Sequence, residues 1–250
     1  MIERHLDLAT PDGVMNTFVV HPEENGPHPV ILFFMDAPGK REELHEMARR
    51  LATTGYFVVL PNLYHRQVRE FELVRDEAGM ARMFELMRSL SNRLVVDDAA
   101  TLMRFCETDP AADADRMGAL GYCMSGPFVM ALAAEHPERI RAIAAIHGAN
   151  MVTERPDSPH LFAPRIRCET YIACAENDEW AAPEAMATLA SALASSGTPH
   201  RLEWYPKARH GFVFPSRGPI YQKEGADRRW ERLFALFQRT LMNRIEKETT

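Results

Sequence analysis

The stretch ALGYCMSGPF, residues 119–128, places Cys123 and Ser125 two positions apart, directly after an apolar run. In a strand–nucleophile–helix turn, the residues two before and two after the nucleophile must be small, so that strand and helix can approach each other. Cys123 meets this condition, because Gly121 precedes it and Ser125 follows it. Ser125 does not, because Cys123 precedes it and Pro127 follows it. The spacing therefore predicts Cys123 as a nucleophile, with a buried space-filling cysteine as the alternative.

The residues after Cys123 indicate how its thiol would become reactive. Proline is tolerated in the first turn of a helix, so Pro127 indicates that a helix begins right after Cys123. The free N–H groups and the positive dipole end at such a helix start stabilise a thiolate and a developing oxyanion.

Nucleophilic catalysis also needs a base and a group that orients it, and in this fold class the chain order is nucleophile, acid, histidine. Asp178 follows the apolar run TYIACA in the turn ENDEW, and His210 lies in KARHGF after the last strand. We therefore predict the set Cys123, Asp178 and His210. The alternatives are a turn carboxylate at 178, with Glu176 and Glu179 as competitors, and a solvated loop histidine at 210.

A second histidine, His147, ends the apolar run AIAAI at the same predicted sheet edge. It precedes Asp178, so using it as the base would break the expected chain order. We expect it to be either a pocket residue or a hydrogen-bonded histidine.

The pattern of apolar runs predicts the elements that hold these residues. HLDLAT and VMNTFVVHP form a hairpin, HPVILFFM is a strand buried on both faces, and strands then alternate with amphipathic helices. This order predicts a doubly wound, mostly parallel sheet of about eight strands with helices on both faces. Ligands bind such sheets beyond the carboxyl ends of the strands, where the candidate residues lie.

One segment departs from the regular alternation. Residues 61–92 contain a helical pattern from about Phe71 to Leu90 and read as a lid or an insertion. No Gly/Ser-rich or Pro-rich linker divides the chain, so we expect a single domain over residues 1–250.

Composition excludes several classes of function. The net charge of −6 without a basic block argues against nucleic-acid binding. The start MIERHLDLAT lacks a leader pattern, and no apolar run approaches the roughly 18 residues of a membrane span. The four cysteines have no metal-ligand spacing. We therefore expect a cytoplasmic protein with no metal, no cofactor and no membrane partner.

Two stretches resemble the dienelactone hydrolase family, a cysteine-nucleophile branch of the α/β-hydrolases. GYCMSG is similar to the family's G-Y-C-x-G-G elbow, and PNLYHR is similar to its P-D-L-Y-x-R segment. The resemblance covers most of the chain and implies the α/β-hydrolase fold. It implies that Cys123 attacks an ester or lactone carbonyl, that His210 is base and then acid, and that Asp178 orients His210. The backbone N–H groups of Ala37 and Met124 would form the oxyanion hole.

The family also carries an acidic residue that engages the resting thiol, and FFMDAPG supplies Asp36 at the matching place, where the family has glutamate. A carboxylate beside a thiol disfavours the thiolate, whereas one that accepts the thiol proton favours it. Asp36 could therefore restrain Cys123, activate it, or only cap the following turn.

A second departure concerns the substrate. Family members that cleave dienelactone carry an arginine four residues after the histidine, and here that position is Phe214. Arg217 lies nearby, and Arg82 in the segment 61–92 is a loose match for a second such arginine. The remaining candidates for the pocket wall are Tyr64, Tyr122, His147 and Phe212.

The sequence thus predicts a metal-independent hydrolase of small-molecule carboxylic esters or lactones, acting through an acyl-cysteine intermediate. The alternative is a small-molecule-binding or thiol redox-responsive protein on the same fold. Monomer and homodimer both stay open.

Overall fold

The computed structural model describes residues 1–242, and its centre is one sheet of eight strands. The strands are β1 (Ile2–Thr10), β2 (Gly13–His21), β3 (His28–Phe34), β4 (Phe57–Pro61), β5 (Ala112–Tyr122), β6 (Ile140–Ile146), β7 (Glu169–Asn177) and β8 (His200–Arg209). Their order across the sheet is β1-β2-β4-β3-β5-β6-β7-β8. The pairs β1–β2 and β2–β4 are antiparallel, and the other neighbouring pairs are parallel. The predicted hairpin and the mostly parallel sheet are confirmed.

The helices cover both faces of this sheet, as the strand–helix alternation predicts. They are α1 (Glu42–Ala52), α2 (Glu77–Arg88), α3 (Asn92–Thr108), α4 (Gly126–Glu135), α5 (Pro183–Ser195) and α6 (Lys223–Phe237), which continues as a π-helical turn over Gln238–Met242. A Cβ atom built on Gly118 of β5 would lie 3.0 Å from Phe237 of α6, whereas one on Gly121 would lie 3.0 Å from Val129 of α4. Within residues 1–242, no helix is both long and apolar enough to cross a membrane.

Two helix starts differ from the sequence prediction because of side-chain caps. The pattern from Phe71 suggested a helix, but α2 begins at Glu77, where the Asp76 carboxylate accepts the N–H of Gly79 at 2.7 Å. The apolar pattern of the next helix, DDAATLMRFCET, predicts a start at Asp97, but α3 begins at Asn92, where the Ser91 hydroxyl accepts the N–H of Leu94 at 3.2 Å. The sequence pattern of the last helix predicts an end near Ile245, which lies outside the described part of the chain.

The loop that leads from β4 into α2 is tied to α3 by a buried carboxylate. Asp98 of α3 accepts two hydrogen bonds of 2.8 Å from the guanidinium of Arg66, and Nε2 of His65 lies 3.1 Å from the same carboxylate. Asn62 closes the loop by donating to the carbonyl oxygens of residues 68 and 69, each at 2.9 Å. The path from β4 toward α2 is therefore held by the body of the domain.

The closest approach between strand and helix occurs where β5 ends. A Cβ atom on Gly121 would lie 2.4 Å from the carbonyl oxygen of Ser125 and 2.8 Å from its carbonyl carbon. Side-chain carbons do not approach a backbone this closely, so only glycine fits at this position. The small-residue spacing in the sequence thus reflects a direct contact between two backbones.

We expect Gly121→Ala to lower the free energy of unfolding by about 3 kcal/mol or more, because the added methyl group must push β5 away from α4. Urea unfolding followed by circular dichroism measures this loss. The control is Gly197→Ala, where φ is +71° but no atom lies within 4 Å of the new Cβ. Backbone strain alone costs about 1–2 kcal/mol, and equal losses in both variants would contradict the steric explanation.

Candidate active site

Cys123 lies at the bend between β5 and α4. It opens a short 3-10 turn, Cys123–Ser125, and has a φ of +54°, a backbone conformation that non-glycine residues seldom adopt. Such strain persists where the surroundings over-determine it. Here the contact at Gly121 holds the strand side, and the carbonyl oxygen of Cys123 accepts the N–H of Ala149 at 3.0 Å. The thiol therefore stands at the start of a helix, on the edge of the sheet.

The neighbouring hydroxyl points elsewhere. Ser125 is fully buried, and its Oγ donates to the carbonyl oxygen of Met35 at 2.5 Å. This hydrogen bond ties the helix start to the residue that follows β3. Ser125 thus has a structural partner, whereas Cys123 borders a cavity.

Asp178 and His210 come together from the ends of neighbouring parallel strands. Asp178 directly follows β7 and His210 directly follows β8. Nδ1 of His210 lies 2.9 Å from each carboxylate oxygen of Asp178, and the N–H of Trp180 donates to Oδ1 at 2.9 Å. A proton on Nδ1 is therefore shared with the carboxylate, which leaves Nε2 facing away from Asp178.

Burial and charge act in opposite directions on His210. Desolvation lowers its pKa, but the hydrogen bond to Asp178 and the interaction with Cys123 outweigh it and raise the pKa to about 10. Nε2 is buried, and within residues 1–242 it has no well-aligned hydrogen-bond partner, although Cys123 is close enough to influence the ring. The site therefore favours an imidazolium between the Asp178 carboxylate and the sulfur of Cys123.

His147 packs directly against this histidine. Its ring is fully buried, 4.8 Å from the His210 ring between centroids, at an interplanar angle of 70°. Burial, followed by the charge of His210, lowers the pKa of His147 well below its ordinary value. Neither ring nitrogen has a hydrogen-bond partner within the described residues, and the ring does not line the cavity beside Cys123. His147 is therefore neither on the cavity wall nor hydrogen-bonded through its ring, and it packs as a neutral ring against His210.

Cys123 and His210 border a cavity of about 310 Å³. Its wall is mainly apolar, and one face of α2 supplies much of it. The apolar lining residues are Met80, Met83, Phe84, Met87, Trp180 and Ile220. A larger groove, of about 800 Å³, lies beside α1 and contains neither Cys123 nor His210.

Of the two predicted oxyanion donors, one lines the cavity and the other follows Cys123 in the chain. Ala37 borders the same cavity as Cys123, and its N–H has no acceptor within the described part of the chain. Met124 directly follows Cys123 in the 3-10 turn. Backbone N–H groups at these two positions could donate to an oxygen bound near the sulfur.

None of the four tyrosine and phenylalanine pocket candidates lines the cavity. Tyr64 is fully buried, and its hydroxyl donates to the carbonyl oxygen of Ala37 at 2.9 Å. The hydroxyl of Tyr122 accepts a hydrogen bond of 3.0 Å from Arg229. The phenyl rings of the remaining two candidates pack on His147 and are buried; they are Phe212 and Phe214. These rings therefore pack around His147, and the cavity wall is formed by α2 instead.

The two arginine candidates have different positions. Arg82 pairs with Glu85 at 2.6 Å and does not line the cavity, because the inward face of α2 is taken by methionine and phenylalanine. Arg217 does line the cavity, with its side chain 19% exposed. Only one of the seven candidate substrate-binding residues thus reaches the cavity wall.

Asp36, at the end of β3, is held by arginines. Its carboxylate is fully buried, bonded through both oxygens to the guanidinium of Arg41, and Arg217 approaches Oδ2 to 3.8 Å. Arg41 also donates to Glu43 at 2.7 Å. The carboxylate therefore has two positive neighbours, which none of the three roles considered from the sequence anticipates.

The cavity-lining face of α2 could have been found from the sequence. Its members recur at i, i+3, i+4 and i+7, the spacing of one helical face; they are Met80, Met83, Phe84 and Met87. The role of Arg41 could not be predicted, because no local sequence pattern indicates which carboxylate an arginine binds. No group of three or more His, Cys, Asp or Glu side chains within residues 1–242 could hold a metal ion.

An eight-stranded, mostly parallel sheet with a cysteine at a strand–helix bend and a histidine after the last strand defines an α/β-hydrolase. The chain belongs to the dienelactone hydrolase family, whose model matches residues 15–241. This family assignment agrees with the resemblance in the elbow stretch, and it makes the chain a member of a hydrolase family.

Individual relatives are distant but cover most of the chain. A carboxymethylenebutenolidase from Rhodococcus opacus is 27% identical over 220 residues, which span 87% of this chain and 84% of the relative. The structure of a dienelactone hydrolase-like promiscuous phosphotriesterase from metagenomic libraries has a TM-score of 0.81 at 20% identity, covering 96% of this chain and 98% of that one. A dienelactone hydrolase from Anabaena variabilis has a TM-score of 0.67 at 19% identity, with the same coverage. These structures share the fold.

We expect Asp178→Asn to lower the pKa of His210 strongly, because the amide removes the negative partner that opposes desolvation. The chemical shifts of the imidazole nitrogens, followed from pH 5 to 11, measure this pKa. Glu179→Gln is the control, since it removes an exposed charge one residue away. An unchanged pKa in Asp178→Asn would show that the carboxylate does not hold the proton.

The raised pKa also predicts a pH-dependent contribution to stability. His210 has its ordinary pKa of 6.5 when unfolded and about 10 when folded, so its stabilising effect is complete below pH 6.5 and is lost as pH rises through 10. We therefore expect wild type to lose stability relative to His210→Gln between pH 6.5 and 10. Urea unfolding at several pH values tests this, and a difference independent of pH would contradict it.

Proposed function

We propose that this protein hydrolyses carboxylic esters or lactones with Cys123 as nucleophile, His210 as base and acid, and Asp178 as the group that orients His210. The observation that carries the proposal is the shared cavity: Cys123 and His210 border the same space, and His210 is bonded to a buried carboxylate on its far side. Membership of a hydrolase family supports the same chemistry.

In the first half of the proposed reaction, Nε2 of His210 takes the thiol proton of Cys123, which gives a thiolate beside an imidazolium. The thiolate then attacks the carbonyl carbon and forms a carbon–sulfur bond. The carbonyl electron pair moves onto oxygen, where the N–H groups of Ala37 and Met124 donate to the oxyanion. When the tetrahedral species collapses, the carbon–oxygen bond to the alcohol breaks and Nε2 of His210 gives its proton to the departing oxygen. The product is a thioester on Cys123 and a neutral His210.

In the second half, neutral His210 takes a proton from water while the water oxygen attacks the thioester carbonyl. Collapse of this second tetrahedral species breaks the carbon–sulfur bond and releases the carboxylic acid. Cys123 leaves as thiolate beside a protonated His210, so the starting pair is restored. Asp178 stays ionised throughout and stabilises the imidazolium.

We further propose that the segment 61–92 acts as a cover for the site within a single domain. The support is that α2, which lies in this segment, lines the cavity next to Cys123 and His210. A cover of this kind excludes water around the thioester and strengthens the electrostatic interactions inside. Its inner face would also set which substrates fit.

We expect p-nitrophenyl butyrate to give a burst of nitrophenolate, followed by slower turnover as the acyl-enzyme is hydrolysed. Cys123→Ala should lower kcat/KM by about a thousandfold or more. Mass spectrometry of the quenched burst should find one butyryl group on the peptide that contains Cys123.

Ser125→Ala is the matched control, because it removes the neighbouring hydroxyl that is bonded to Met35 and not open to the cavity. It should keep most of the turnover. Activity that survives in Cys123→Ala but is lost in Ser125→Ala would overturn the assignment of the nucleophile. Tight ester binding without any hydrolysis would instead favour the non-catalytic alternative.

A further inference from the structure

We propose that the cavity selects a neutral, apolar acyl group and discriminates against acyl groups that carry a carboxylate. The inference rests on the proposed esterase function and names its substrate class. It is carried by two features, the apolar face of α2 and the pairing of Arg217 with Asp36.

The first feature is the composition of the wall. Four side chains on one face of α2 line the cavity, and the ring of Phe84 packs against that of Trp180 in the wall, with 6.4 Å between the ring centroids. The four are Met80, Met83, Phe84 and Met87. Methionine side chains are flexible and polarisable, so such a wall can adapt to alkyl or aryl groups of different shape. Arg82 and Glu85 of this helix form an ion pair with each other, and neither lines the cavity.

The second feature is the charge balance of Arg217. Its guanidinium borders the cavity, but it lies 3.8 Å from the fully buried carboxylate of Asp36, which also binds Arg41. The positive charge of Arg217 is therefore already balanced by the carboxylate of Asp36. At the rim the two exposed charges have opposite sign, Arg209 and Glu179.

A substrate carboxylate that entered this cavity would lose its hydration without gaining an unpaired cation. Desolvation of an ion without such a partner is unfavourable, whereas each methylene group of an alkyl chain gains free energy from leaving water. Pulling Arg217 toward the substrate would leave the Asp36 carboxylate with Arg41 alone. The cavity thus favours neutral chains for a physical reason.

We assign this cavity to the acyl portion because the acyl group stays on Cys123 through both half-reactions, while the alcohol departs after the first. A second and more polar groove, of about 280 Å³, lies on the other side of Met87 and is bordered by Met124, Asn150 and Arg155. We assign that groove to the alcohol.

The test compares two esters that share leaving group and chain length. p-Nitrophenyl hexanoate ends in a methyl group, and mono-p-nitrophenyl adipate ends in a carboxylate at the same position. We expect kcat/KM to be roughly tenfold or more higher for the hexanoate. The methyl ester of the adipate, which is neutral again, should recover most of the difference. Equal rates, or a preference for the adipate, would overturn the inference.

Removal of the charges of Asp36 and Arg217 tests whether Arg217 sets the preference for neutral acyl groups. In Asp36→Asn, Arg217 loses its countercharge, so the preference for hexanoate should shrink about tenfold or reverse. Adding Arg217→Met to that variant should restore the preference. Glu43→Gln is the matched control, because it removes a carboxylate bound to Arg41 but not to Arg217. Each result is a ratio of two substrates, so partial loss of folded protein does not affect it.

A binding measurement separates this inference from the proposed function. In Cys123→Ala, which cannot form the thioester, titration calorimetry compares hexanamide with the monoamide of adipic acid. Tighter binding of hexanamide supports the selectivity even if no ester is turned over, and equal or tighter binding of the adipic acid monoamide overturns it. If all esters fail as substrates while hexanamide binds, only the proposed hydrolysis has failed.

Discussion

The backbone contact between Gly121 and Ser125 is the constraint on which the site depends. Because no side chain separates the strand from the helix there, the chain must reverse direction within a few residues, and Cys123 takes a φ of +54° at the apex. A methyl group at 121 would widen the bend and turn the thiol away from the cavity. Well-packed elements on both sides hold Cys123 in this strained backbone conformation.

The parallel sheet brings the other groups to the same edge. Asp178 and His210 follow neighbouring parallel strands, so their backbones are adjacent although the chain between them is long. Burial by itself would keep His210 neutral, and the buried carboxylate reverses this. His147, which has no such partner, shows the opposite outcome at a contact distance of 4.8 Å between ring centroids. The same residue type is thus a stabilised cation or a neutral ring, depending on one carboxylate.

A similar balance governs the substrate side. Asp36 follows β3, and its charge is taken up by Arg41 and Arg217. This pairing occupies an arginine on the cavity wall that could otherwise receive an anionic substrate. Together with the apolar face of α2, it is the basis of the proposed preference for neutral acyl groups.

The periodicity of the sequence predicts the sheet type, and the structure confirms it. Short-range sterics and chain order predict Cys123 over Ser125 and the set Cys123, Asp178 and His210, and these stay predictions. The sequence did not determine which aromatic rings face the cavity, nor that Asp36 binds Arg41 and Arg217. Those outcomes depend on how distant elements pack, since a buried charge takes whichever partner the tertiary structure brings within reach. The spacing of methionine and phenylalanine marks one apolar face of α2 in the sequence, but it takes the tertiary structure to show that this face, rather than the predicted tyrosines and phenylalanines, forms the wall beside Cys123.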